Sequence, residues 1–241
     1  MLKELLAKIK SRAQTCAVVI VAAGQSSRMK GTDKIMTPLG SRPVIAHTVG
    51  VFQSCPLVRQ IVLVTRQELL DELNSLCREY GFTKVTAVVP GGETRVHSVM
   101  NGLDHISKKE GLVAVHDGAR PLVLPEVVEE TIRQAGKYHA AAPAVPVKDT
   151  IKIAEGNLVT GTPDRQKLFA VQTPQIFDFD LLRGALQKAL EEHAPITDDC
   201  SAVEALGMRV YLTQGSEENI KITTPMDLIL AQAILDRRKH S

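Results

Sequence analysis

The chain has 241 residues, 44% hydrophobic and 23% charged, which suits one large α/β domain with its own core and excludes a disordered or collagen-like protein. A formal net charge of +2 is too small for a general grip on a nucleic-acid backbone, and 3% aromatic residues with no Trp leave no stacking platform for single-stranded bases. Small anions are the better partners, and neither nucleic acid nor a membrane is expected.

Residues 1–14 read as a leading helix in which leucine alternates with lysine, amphipathic and without the continuous apolar stretch of a signal peptide or membrane span. The expected location is the cytoplasm, or an organelle stroma should a transit peptide have been removed. Residues 17–21 form a short, β-branched apolar run that fits a strand buried on both faces, and it ends at Ala22-Ala23-Gly24. A helix over 43–53 begins at Pro43, a residue suited to a first helical turn, and a second strand follows over 59–65. Residues 67–80 are helical and closed by Gly81, and 84–89 make a third strand running into Pro90-Gly91-Gly92. A helix over 94–105 then precedes a fourth apolar strand, 112–116, which ends at Asp117 and Gly118. A helix over 125–136 and a strand over 139–145 complete the β-α-β succession of an open, mostly parallel, Rossmann-like sheet with helices on both faces. Ligands bind such sheets beyond the carboxyl ends of the strands, where the loops at Ala23-Gly24, Gly91-Gly92 and Asp117-Gly118 all fall.

The rhythm breaks over 146–175. There 150–154 and 157–160 flank Glu155-Gly156 as a hairpin, an inserted β-arm that needs another surface to stabilise it and suggests a partner subunit. Helices over 179–192 and 199–206, a strand over 209–213 and a helix over 225–238 close a single domain spanning 1–241. Cys16, Cys55, Cys77 and Cys200 are scattered with no C-x-x-C pair, so they read as reduced, buried thiols.

Two segments carry chemistry. The loop from Ala22 to Gly31 offers backbone N–H groups to phosphate oxygens, with charge from Arg28, Lys30 and nearby Lys34; an ordinary turn with solvated cations is the alternative. It lacks both P-loop and dinucleotide-fold spacing. Just past the fourth strand, Asp117 is placed for a metal ion or ribose hydroxyl and Arg120 for a phosphate, unless the two close the loop as a salt bridge. His116 reads as a hydrogen-bonded packing residue, and no Ser-His-Asp or Cys-His arrangement stands out.

These residues resemble the 2-C-methyl-D-erythritol 4-phosphate cytidylyltransferases over nearly the whole chain after the first helix. Ala22-Ala23-Gly24, Arg28-Met29 and Lys34 look like the family's nucleotide loop, and the run from His116 to Pro121 matches its His-Asp-[Ala/Gly]-Ala-Arg-Pro signature. Further similarity runs through Gly91-Gly92, Arg95, Ser98-Val99, Val147-Lys148-Asp149-Thr150, Thr173-Pro174-Gln175, Thr197-Asp198-Asp199, Asn219-Ile220-Lys221 and Thr223. The resemblance implies that Arg28 and Lys34 bind the triphosphate of CTP and, with Lys221, stabilise charge as the acceptor phosphate attacks the α-phosphorus. It implies nucleotide contacts from Ala22, Ala23, Gly24 and Gly118, cytosine and ribose recognition by Gly91 and Ser98, and ribose and Mg2+ (or another divalent cation) at Asp117. Arg120, Thr150 and Arg165 would grip the sugar-alcohol phosphate, the last two from the arm of a homodimeric partner. A pentitol phosphate cytidylyltransferase acting on ribitol 5-phosphate is the neighbouring reading, and a non-catalytic nucleotide-binding protein the reading from another class. Two departures stand out: Ser26 replaces a glycine common in relatives, and Asp33 adds a carboxylate beside Lys34 that would partly offset its charge.

Overall fold

The computed structural model describes residues 15–24, 33–107 and 111–239. The leading helix, Ser26, Arg28 and Lys30 lie outside the described residues. Strands β1 (Cys16–Val21), β4 (Val58–Thr65), β5 (Val85–Pro90) and β6 (Leu112–Asp117) form the parallel heart of one sheet, in the order β6-β1-β4-β5. The short pair β2 (Pro38–Leu39) and β3 (Arg42–Pro43) leads into helix α1 (Val44–Ser54). Pro43 was expected inside the first helical turn; it is instead the N-cap, extended at φ −66° and ψ 153° and paired with Pro38.

Successive side chains of a strand point to opposite faces, and both faces of this sheet are covered, so the strands read as continuous apolar runs. Val18, Ile20, Ile61, Leu63 and Ala114 pack on one face with α1, α2 (Leu70–Glu79), α4 (Pro125–Tyr138) and the closing helix α7 (Pro225–Lys239). Ala17, Val19, Val62, Val64, Val113 and Val115 pack on the other with α3 (Arg95–Leu103), α5 (Phe179–Glu191) and α6 (Asp199–Glu204). Gly81 takes φ +65° after α2, the left-handed position that glycine adopts without a steric penalty. All four cysteines are buried and none is in a disulfide.

Beyond β6 the sheet departs from the simple succession. Strands β7 (Ala140–Pro146) and β12 (Tyr211–Gln214) pair in parallel, but between β6 and β7 runs an antiparallel strand in two pieces. These are β10 (Phe169–Val171) on β7 and β11 (Gln175–Asp178) on both β6 and β7. The arm is therefore shorter than 146–175, because Phe169–Val171 has already rejoined the main sheet. What projects is the two-stranded sheet of β8 (Ile153–Glu155) and β9 (Leu158–Gly161), joined at Gly156 with φ +57°. The hairpin turn lies where the sequence placed it, while its first strand starts later than residue 150.

Candidate active site

Three backbone hydrogen bonds carry the parallel pairing one residue past the strands and gather the loops at their carboxyl ends. Ala22 N–H donates to Val64 O at 2.7 Å, Gly91 N–H to Thr65 O at 2.7 Å, and Gly118 N–H to Val21 O at 2.8 Å. The approach is so close that side chains are excluded: a Cβ on Gly91 would lie 2.4 Å from Ala23 Cβ, and one on Gly118 would lie 2.9 Å from Ala22 Cβ. The result is a cleft of about 370 Å³ whose walls include Ala22, Ala23, Gly24, Lys34, Ser98, Asp117 and Lys221. Buried Ser98 holds one wall, its Oγ accepting from Gly92 N–H at 3.1 Å and donating to Thr94 O at 3.0 Å. Asp33 pairs with Arg66 and accepts from Ile35 N–H at 3.0 Å, so its carboxylate braces the loop.

Asp117 is the electrostatic centre. Its Oδ2 receives Lys221 Nζ at 2.9 Å and Arg120 Nε at 3.2 Å. Burial pushes the Asp117 carboxyl up, but the charges of Lys221 and Arg120, the hydrogen bond from Lys221 and the field of Arg95 prevail and hold its pKa at about 2. The salt bridge between Asp117 and Arg120 that the sequence left open is formed, and Lys221 joins it. Arg120 also donates to Asn219 O at 2.7 Å, which ties this cluster to the segment ahead of Lys221.

His116 is fully buried and its partners fix its state. The carbonyl of Arg120 can only accept, so Nε2–H donates to it at 3.1 Å, leaving Nδ1 to accept from the Thr173 hydroxyl at 3.0 Å. The same hydroxyl accepts from Asp117 N–H at 3.2 Å. Burial lowers the His116 pKa to about 4, against the Arg120 carbonyl and Asp117, which raise it. The neutral ring braces the Asp117 backbone and has the packing role expected for it.

A second cavity of about 540 Å³ opens on the other side of this cluster, lined by Arg120, Lys148, Gln172, Asn219 and Lys221 among others. Lys221 borders both spaces. Thr150 and Arg165 are exposed and are not among the lining residues of either cavity; Arg165 instead donates to Lys148 O at 2.8 Å. The chain thus does not bring these two expected acceptor ligands to either cavity. Lys148, Gln172 and Asn219 were not assigned roles from sequence, although all lie in or beside the matched motifs. Among the described residues no three His, Cys, Asp or Glu side chains cluster as a metal site. Asp117, a single carboxylate kept ionised at neutral pH, fits a divalent cation that arrives largely coordinated by phosphates and water.

Comparison with known proteins finds close relatives of this chain and of its fold. The family model described as 2-C-methyl-D-erythritol 4-phosphate cytidylyltransferase matches residues 16–237. The enzyme of that name from Halalkalibacterium halodurans is 45% identical over 225 residues, covering 93% of this chain and 98% of its own. The one from Desulforamulus reducens is 48% identical over 226 residues, covering 91% and 95%. A solved 4-diphosphocytidyl-2C-methyl-D-erythritol synthase from Anaerococcus prevotii has a TM-score of 0.84 at 31% identity, over 95% of this chain and 99% of its own. The Thermus thermophilus 2-C-methyl-D-erythritol 4-phosphate cytidylyltransferase has a TM-score of 0.75 at 31% identity, over 90% and 98%.

Proposed function

This chain belongs to the 2-C-methyl-D-erythritol 4-phosphate cytidylyltransferase family, and from that premise we propose how its two cavities divide the reaction. The protein is a nucleotidyltransferase that joins CTP to 2-C-methyl-D-erythritol 4-phosphate, giving 4-diphosphocytidyl-2-C-methyl-D-erythritol and pyrophosphate. CTP occupies the smaller cleft, with cytosine and ribose toward the walls built around Gly91 and Ser98 and the triphosphate between Ala23-Gly24 and Lys34. The acceptor phosphate enters from the larger cavity beside Arg120. The observation that carries this division is Lys221, which borders both cavities and whose ammonium already faces Asp117.

A phosphate monoester is a nucleophile at neutral pH, so the site needs no base; it must align two anions and neutralise their crowding. Neutral, buried His116 takes no proton from the substrate and serves to hold the backbone of Asp117. Lys221 and Arg120, parked on Asp117 in the free enzyme, turn part of their charge toward the phosphate oxygens as the acceptor closes on the α-phosphorus. A divalent cation such as Mg2+, held by Asp117 and the nucleotide, would polarise the phosphate oxygens as a Lewis acid. Ala23 and Gly24 would offer backbone N–H groups to the phosphates, whereas that of Ala22 is already bonded to Val64 O and serves to hold the loop.

The same reading makes the protein a homodimer. Leu158 and Val159 are 77% and 60% exposed on a two-stranded hairpin, too small a unit to be stable unsupported, and a second copy would cover them. Thr150 and Arg165 would then serve the partner's acceptor cavity. Buried cysteines outside any disulfide and bacterial relatives support a cytoplasmic location. The test is pyrophosphate release from CTP with 2-C-methyl-D-erythritol 4-phosphate and, separately, with ribitol 5-phosphate. Turnover faster with ribitol 5-phosphate would overturn the acceptor assignment, and none with either would overturn the enzymatic reading.

A further inference from the structure

Arg95 opens helix α3 on the wall of the smaller cleft, and its guanidinium is held by a carboxylate that no substrate can reach. Asp199 is fully buried at the start of α6 and takes Arg95 Nη1 on Oδ1 at 2.9 Å and Nη2 on Oδ2 at 2.6 Å, a two-pronged pair. Arg95 remains one-third exposed, and its charge is felt at Asp117 across the cleft. A guanidinium has five donors in a rigid plane. Two are spent on Asp199, and Arg95 is among the residues that line the cleft given to the nucleotide.

Asp199 is itself fixed from behind. Gln175 Oε1 accepts from Asp199 N–H at 3.0 Å and Cys200 N–H at 3.1 Å, while its Nε2 donates to Asp198 Oδ2 at 2.7 Å. Two residues before Gln175, Thr173 holds His116 and Asp117. One short segment therefore sets the anchor of the Asp117 carboxylate on one side of the cleft and, through Asp199, the Arg95 guanidinium on the other.

We propose that Arg95 is a further ligand of the nucleotide and that buried Asp199 is its positioning residue, holding the guanidinium plane at the angle the nucleotide meets. The inference rests on the smaller cleft being the CTP site. A pair that merely stapled α3 to α6 would also be buried and two-pronged, so the test must read binding separately from stability.

CTP affinity is measured by calorimetry with Mg2+ present, alongside KM, kcat and thermal unfolding, for Asp199→Asn, Arg95→Met, Arg95→Lys and the double variant Arg95→Met/Asp199→Asn. Each single variant is expected to weaken CTP binding and raise its KM about tenfold or more, with a much smaller change in kcat, as loss of uniform binding requires. Arg95→Lys belongs in that group because it keeps the charge and loses the planar fork. The double variant is expected to bind CTP no more weakly than Arg95→Met, since Asp199 acts through Arg95. Wild-type CTP affinity in Arg95→Met, or in Arg95→Lys, overturns the inference. So does an Asp199→Asn effect that adds in full to that of Arg95→Met, or one confined to the unfolding temperature. If Asp199→Asn does not fold, the two Arg95 variants decide by the same criteria. A wild-type protein that binds no CTP would overturn the nucleotide-site reading together with this one.

Discussion

Replacing Lys221 with alanine separates binding from catalysis at this site. Removal of the ammonium takes away one of two cations on Asp117 Oδ2 and leaves Arg120 Nε at 3.2 Å. Even if the Asp117 pKa rose from about 2 to its ordinary 3.8, the carboxylate would remain ionised near pH 8 and the nucleotide side of the site would stay assembled. The folded state should lose little: Lys221 itself is 42% exposed, and Arg120 stays on Asp117, so the 12% exposed carboxylate is not left unpaired. The loss falls on the step in which charge crowds between the cavities, where removal of a preorganised donor costs about 2.7–4 kcal/mol, a hundredfold to a thousandfold in kcat. The assay is steady-state pyrophosphate release with both substrates varied, supported by CTP binding to the free variant. A kcat within a few-fold of wild type, or a loss carried wholly by the KM for CTP, would refute the placing of Lys221 at the junction of the two substrates.

Three further outcomes are expected. Gly91→Ala drives a Cβ to 2.4 Å from Ala23 Cβ, so the nucleotide wall must open, costing about 1–3 kcal/mol of stability and raising the KM for CTP; unchanged unfolding temperature and KM would contradict the close approach. Between pH 6.5 and about 4 the unfolded chain binds a proton at His116 that the folded chain does not, so stability falls with pH across that window by about 3 kcal/mol in full. Urea unfolding of wild type and His116→Gln at pH 7.5 and 4.5 checks this, and an equal loss in both proteins would refute it. Below pH 3.8, protonation of Asp117, complete only as the pH falls through about 2, adds a loss of the same sign. Finally, mixing Arg165→Ala with Lys34→Ala after proven subunit exchange should restore part of the activity, because one site of the heterodimer keeps both residues; no recovery would reject an acceptor ligand supplied in trans, and a fully active monomer in sedimentation would reject the dimer.

Much of the parallel heart was legible because burial on both faces leaves apolar, often β-branched residues over several positions, as in Cys16–Val21 and the first four residues of Leu112–Asp117. Their loops were legible for the same reason, since a change from apolar to small or charged residues marks where the sheet stops. The two-piece antiparallel strand was not. Phe169–Val171 and Gln175–Asp178 are three and four residues long, separated by Gln172-Thr173-Pro174, and neither alternation nor a long apolar run can be seen in so few positions. The first is exposed along its whole length, so burial writes no pattern into it. Within the site, residues sharing a loop, such as Asp117 and Arg120, could be paired on paper. Arg95 and Asp199 stand 104 residues apart, and nothing local in either helix start announces the other. The matched motifs included both residues but could not show that one is the buried counter-ion of the other.

On the proposed division of the two cavities, the break in that strand gives the sheet room for an acceptor beside the nucleotide. A continuous strand from 169 to 178 would spend its polar groups on neighbouring strands. Interrupted, it frees Gln172 and Thr173 to face the segment that carries Lys221. Asn219 donates to Gln172 Oε1 at 3.2 Å and to Thr173 O at 2.9 Å, Gln172 donates to Ser216 O at 2.8 Å, and Thr173 meets His116 and Asp117. The neighbouring Gly215 is held so close that a Cβ would lie 2.7 Å from Gln172 Oε1. These bonds are neutral and mostly buried, so salt screens them little, unlike the partly exposed ion pairs above them. Lys221 is thereby placed by its backbone rather than by its attraction to Asp117. Its charge can then leave the carboxylate for a phosphate without the chain moving, which is the condition for an electrostatic contribution that costs no reorganisation at the moment of reaction.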